Sequence, residues 1–158
     1  MRELILTSSL AALMIITNQR FALAAGSSNL ERAVIFAVQQ EAKASDLTSG
    51  KDICVGFGHG LVLHEKAILS SLKHGGIKAH ASDWCTQQGH CVSIAVIAPV
   101  KESSPGTFEV TVQVGDPSVK PEEHFGTLLK KGTYVIRSEG NSEPQILSYQ
   151  QTCCSKTS

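Results

Sequence analysis

Five cysteines and six histidines carry much of the chemistry open to this chain. The densest cluster is WCTQQGHC, from Trp84 to Cys91. A thioredoxin-type redox centre needs C-x-x-C, because the resolving thiol must reach the attacking one from the next helical turn. Five residues lie between Cys85 and Cys91, so that chemistry is not indicated. A zinc site would show paired ligands about two to four residues apart, repeated further along the chain. His90 and Cys91 are adjacent and have no such second pair. A structural disulfide is the remaining use, and no metal ligand set is assigned.

Other motifs fall short of a known chemistry. Gly56-x-Gly58-x-Gly60 follows a predicted strand and precedes a predicted helix. The dinucleotide fingerprint is G-x-G-x-x-G with a later acidic ribose ligand, and here the third glycine is misplaced. No cofactor is expected. His59 and His64 flank that loop, with His80 and Asp83 further on. Convergence of these groups would let Asp83 orient His80 as a general base, whereas solvated loop residues beside a disulfide are the plainer reading. Ser70 and Lys73 form S-x-x-K without the companion motifs of penicillin-recognising enzymes. Glu122-Glu123-His124 lacks a second ligand cluster and reads as a solvated charge run. No catalytic residue is assigned.

The compartment decides what the cysteines do. Leu4 to Ile16 is apolar apart from Thr7, Ser8 and Ser9, and Ala22-x-Ala24 supplies the small residues that a signal peptidase reads. The apolar run is shorter than the roughly 17 to 25 residues of a membrane span. Residues 1–24 are therefore expected to be a signal peptide, and the mature chain to be periplasmic or extracellular with no transmembrane segment. Arg2, Arg20 and Glu3 leave with the leader. A chain with 14 basic and 14 acidic side chains thus ends one negative charge from balance. That argues against nucleic acid, whose binders show a clustered basic excess. All the cysteines survive processing into a compartment where disulfides persist.

The elements that position these residues follow from periodicity. Ser28-Asn29-Leu30-Glu31 is a capping box. Leu30, Ala33, Val34, Ala37 and Val38 then form one helical stripe, with the helix ending near Ala44. Asp52 to Phe57 reads as a short strand. A second helix runs from about His64 to His74 and stops at Gly75-Gly76. From Cys91 the period changes to two, giving strands over about 91–98, 108–114, 125–138 and 145–151. The third is expected to break near Lys130-Lys131-Gly132, and Gly140-Asn141 marks a hairpin.

This order predicts an α+β fold: one or two N-terminal helices packed on a curved four-stranded, mostly antiparallel sheet. Residues 25–152 make one domain, and 153–158 form a tail. Cystatin-like and NTF2-like architectures place a helix across a sheet in this way, which is a likeness of fold and carries no function.

The segments DICVGFGHG, KHGGIKAHASDWC and GTYVIRSEG resemble small exported bacterial proteins of unknown function. In those, a Cys-Val strand and a later Ser-x-x-Cys flank a helix, and a closing hairpin ends in tryptophan. Cys54-Val55 and Ser82 to Cys85 fit that pattern. The final tryptophan is missing, with Leu147 or Tyr149 near its place. The resemblance implies no activity.

Any of the five cysteines can be the odd one, and four cysteines pair in three ways, so sequence alone does not choose the bridges. Geometry favours Cys54–Cys85. A helix of about 11 residues is roughly 16 Å long, and the extended Ile77–Trp84 segment can retrace it to bring Cys85 beside Cys54. Cys91 with Cys153 or Cys154 is the weaker pairing, since a flat meander would hold those ends apart. Adjacent strand residues face opposite ways, so at most one of Cys153 and Cys154 is expected to point inward. The functional expectation is an exported, non-enzymatic binding or structural domain of unknown partner. The alternative is a small-cavity ligand carrier or enzyme with a His/Asp site.

Overall fold

The computed structural model describes residues 27–45, 50–81, 83–84, 92–115 and 128–154. The expected leader, Cys85, His90, Cys91 and Glu122 to His124 lie outside the described residues.

Helix α1 spans Asn29–Ala44 and begins as its sequence requires. The Ser28 hydroxyl accepts from the Glu31 N–H, and the Ser28 N–H donates to Glu31 Oε2 at 3.1 Å. Ala33, Val34, Ala37 and Val38 are fully buried, as the stripe predicted. Ile35, Phe36 and Ala42 are buried as well. The helix meets the sheet with one flank and a second helix with another, which is why burial extends beyond the stripe.

Strand β1 (Asp52–Phe57) leads into α2 (Glu65–His74) and then into a short strand β2 (Lys78–Ala81). Helix α2 ends in a Schellman arrangement. Gly76 takes φ 83°, its N–H donates to the Lys73 carbonyl, and the Ile77 N–H reaches back to Leu72. Strands β3 (Val92–Ser104), β4 (Thr107–Gly115), β5 (Leu128–Arg137) and β6 (Gln145–Cys153) complete the sheet.

The fold is α+β, but among the described residues the sheet has six strands rather than the four expected, in the order β2-β1-β3-β4-β5-β6. Strand β1 pairs in parallel with both β2 and β3, and the remaining pairs are antiparallel. Helix α2 is thus the crossover of a β-α-β unit, not a second helix preceding the sheet. Such a parallel pair needs a crossover because its strands run the same way.

Local corrections have local causes. Strand β3 continues to Ser104, and its register with β4 breaks between Ile97 and Lys101. Pro99 lies in that gap and has no N–H to give the ladder. Strand β5 is unbroken through Lys130-Lys131-Gly132, because Gly132 sits in register between Val112 and Gln151.

The core lies between the sheet and the two helices. Phe108, Val110, Val112 and Val114 are buried in one cluster with Val34, Ala37 and Val38, as the alternation in β4 predicted. Ile53, Val55, Ile94, Val96, Tyr134 and Ile136 extend it across the sheet, and Ile68 and Leu72 join from α2. No helix of the described residues is long and apolar enough to cross a membrane.

Candidate functional site

Three groups of titratable side chains are brought together by this fold. The first joins α1 to the start of α2. Glu31 Oε1 accepts from the His64 N–H at 2.8 Å and lies 2.8 Å from His64 Nδ1. Burial pushes the Glu31 carboxyl up. The His64 backbone and ring, with the Ser28 N–H, outweigh burial and leave it below its ordinary value of 4.5. A depressed carboxyl contributes stability that is present above its unfolded pKa and fades as pH falls through the folded one. Glu31→Gln should therefore cost about 1 to 2 kcal/mol at pH 7 and less at pH 3, below the ordinary value. Urea unfolding at both pH values measures this, and an equal loss at the two would contradict it.

The second group sits at the β1–β2 edge. His80 Nε2 lies 2.8 Å from Asp52 Oδ1, and the imidazole stacks on Trp84 with ring centroids 3.7 Å apart. The parallel register explains the pairing. Asp52 is opposite Lys78, so His80 is its diagonal neighbour on the same face. The carboxylate beside His80 is therefore Asp52. Asp83, the expected orienter, accepts instead from the Trp84 N–H at 2.9 Å. Cys54 lies opposite His80 and is disulfide-bonded. The expected path of Ile77–Trp84 beside the first strand is followed in part, as β2. Cys85, the proposed partner of Cys54, is outside the described residues.

The third group was not singled out in the sequence. Glu41 is fully buried near the end of α1. Its carboxylate accepts from Tyr134 Oη at 2.8 Å and from Ser45 Oγ at 3.0 Å, and it pairs with Lys130 Nζ at 2.8 Å. Burial and the hydrogen bond to Glu41 both push the Tyr134 phenol above its ordinary value. Burial pulls the Lys130 ammonium down, but Glu41 and Tyr149 hold it above its ordinary value. Tyr149 lies across this group, 4.6 Å from the Tyr134 ring, with Lys130 Nζ 5.5 Å from its centroid. A β-carbon on Gly132 would meet the Tyr149 ring at 2.5 Å, so glycine at this point lets the ring lie over the sheet.

The remaining candidates do not converge. His64 is at the α2 terminus with Glu31, while His80 is with Asp52. His59 is in the turn after β1. Gly58 donates its N–H to Val96 O at 2.9 Å, and a β-carbon there would lie 2.6 Å from the Ala98 nitrogen. That glycine answers to close strand packing rather than to a phosphate. Ser70 and Lys73 are exposed on α2, and the Ser70 carbonyl is bonded by the His74 ring. Among the described residues, no three His, Cys, Asp or Glu side chains gather as a metal site. At the chain's end Cys153 and Cys154 sulfurs are 1.97 Å apart, and Cys154 takes φ 65°. Neither was expected to face the other. The chain turns out of the strand at Cys154, so the alternation rule no longer separates them. Cys91, the expected partner, is outside the described residues.

One surface has no chemistry of this kind but is conspicuous for its composition. Strand β6 is an edge strand, and it is exposed from Gln145 to Thr152. Ile146, Leu147 and Tyr149 are exposed by 41%, 48% and 39%. Its sequence, QILSYQQTC, has no charge and no proline, the residues that ordinarily blunt an edge. Its pairing with β5 skips Leu147 and Thr152, so bulges bound a regular run from Ser148 to Gln151. The hairpin leading into it is held by Arg32, whose guanidinium donates to the carbonyls of Gly140 and Ser142.

No family model, curated protein or solved structure matches the chain.

Proposed function

We propose that this protein is an exported, non-enzymatic binding domain that recognises its partner along the free edge of β6. The observation that carries this reading is an uncharged edge strand with three exposed large apolar side chains. Such an edge offers a row of backbone donors and acceptors to an added strand, while flanking side chains supply selectivity. The titratable groups support the same reading. Glu31 and Glu41 each join separate elements, and both lie within the helix–sheet body. Export rests on the apolar run from Leu4 and on Ala22-x-Ala24.

Two measurements test the proposal. Mass spectrometry of exported protein should find a mature N-terminus at or near Ala25, and an intact Met1 in that fraction would overturn export. A displayed random-peptide library should select extended peptides that slow hydrogen exchange in Ser148–Gln151. Selection of peptides that protect only the Asp52–His80–Trp84 edge, or of none, would overturn the β6 reading.

A further inference from the structure

We infer that the partner of β6 is a second copy of this chain, joined antiparallel through Ser148–Gln151 about a two-fold axis; this rests on the edge reading above. The first ground is charge. No residue from Gln145 to Cys153 is charged, so pairing with its own copy sets no like charges opposite each other. A charged partner strand would gain no complement from these nine residues.

The second ground is geometry. A two-fold axis that continues a sheet keeps every side chain on its own face. Opposed residues must then have matching parity, and the axis must pass through one residue. Within the regular run only Tyr149 and Gln150 have a regular neighbour on each side, so these are the central choices. An axis at Tyr149 sets the two rings together on the helix side, with Ser148 facing the copy's Gln150. An axis at Gln150 sets the two Gln150 side chains against each other, with Tyr149 facing the copy's Gln151. Both registers therefore set only uncharged side chains against each other. Exposed Ile146 and Leu147 lie beside the run, where the copy would cover them.

The third ground is closure. The bulges at Leu147 and Thr152 end the regular ladder on both sides, which keeps the joint short. The opposite edge of the sheet is the four-residue β2, with Lys78 exposed. Pairing of β6 with β6 uses up the β6 edge in both copies, so the assembly stops at two. A joint this short belongs with small, reversible interfaces.

Sedimentation equilibrium of the purified protein tests the inference. The protein should self-associate with a dissociation constant between about 10 µM and 1 mM. Two double variants, Ser148→Lys with Gln150→Lys and Ser148→Glu with Gln150→Glu, change exposed positions only. Each should weaken self-association by about tenfold or more, because in both registers like charges then meet. An equimolar mixture of the two should recover the dimer. Unchanged thermal unfolding confirms that both variants fold. A monomeric wild type, or charged variants that dimerise as it does, would overturn the inference. A monomer whose Ser148–Gln151 amides are still protected by selected peptides removes only the second-copy partner. A monomer without such protection removes the edge reading with it.

Discussion

Glu41→Ala should destabilise the folded state by about 3 to 5 kcal/mol. The carboxylate is fully buried and takes two hydrogen bonds and an ion pair, from Tyr134, Ser45 and Lys130. Its removal leaves the phenol of Tyr134, a residue only 4% exposed, without its acceptor, and water has little access to replace it. Lys130 retains some contact with solvent, so the loss should fall toward the lower end of the range. Tyr134→Phe removes one donor and should cost only about 1 to 2 kcal/mol. Combining Glu41→Leu with Lys130→Met should cost less than the two single changes together, because no charge is then stranded. Equilibrium urea unfolding supplies all of these values. A loss below about 1 kcal/mol for Glu41→Ala would mean that the carboxylate does not hold α1 to β5.

Phe108→Ala should cost about 3 to 5 kcal/mol by leaving a cavity where β4 meets α1. Phe108 is buried in the cluster that contains Val34, Ala37 and Val38, and it is in register with Ile136 on β5. Ile146→Ala, on the exposed edge, should cost less than about 1 kcal/mol and serves as the control. Similar losses at the two positions would place the ring outside the core.

The contrast between these residues shows what the sequence could reveal. Phe108 was legible because Phe108, Val110, Val112 and Val114 alternate with polar residues, and alternation reports burial directly. The start of α1 was legible because a capping box is a local motif. Glu41 was not. It is one polar residue near a helix end, and its partner Tyr134 is 93 residues away. Nothing nearby in the chain announces that contact. Strand β2 escaped for a related reason, since Lys78-Ala79-His80-Ala81 is too short and too weakly apolar to show a period. Its absence from the expected sheet also misdirected the His80 reading. Asp83 is close in sequence, but the parallel register delivers Asp52. Sequence order likewise could not place β1 between β2 and β3, because a crossover strand finds its neighbours through the core and not through adjacent turns.

Gly132 and Tyr149 constrain each other sterically. The ring of Tyr149 occupies the space that a β-carbon at 132 would need, while resting on Tyr134 and Lys130. A substitution at one position therefore alters what the other can hold. A variant with a side chain at 132 must shrink residue 149 or swing its ring away from Tyr134. A variant that keeps the tyrosine in place needs the glycine as well, at an interior strand position where that residue is ordinarily disfavoured.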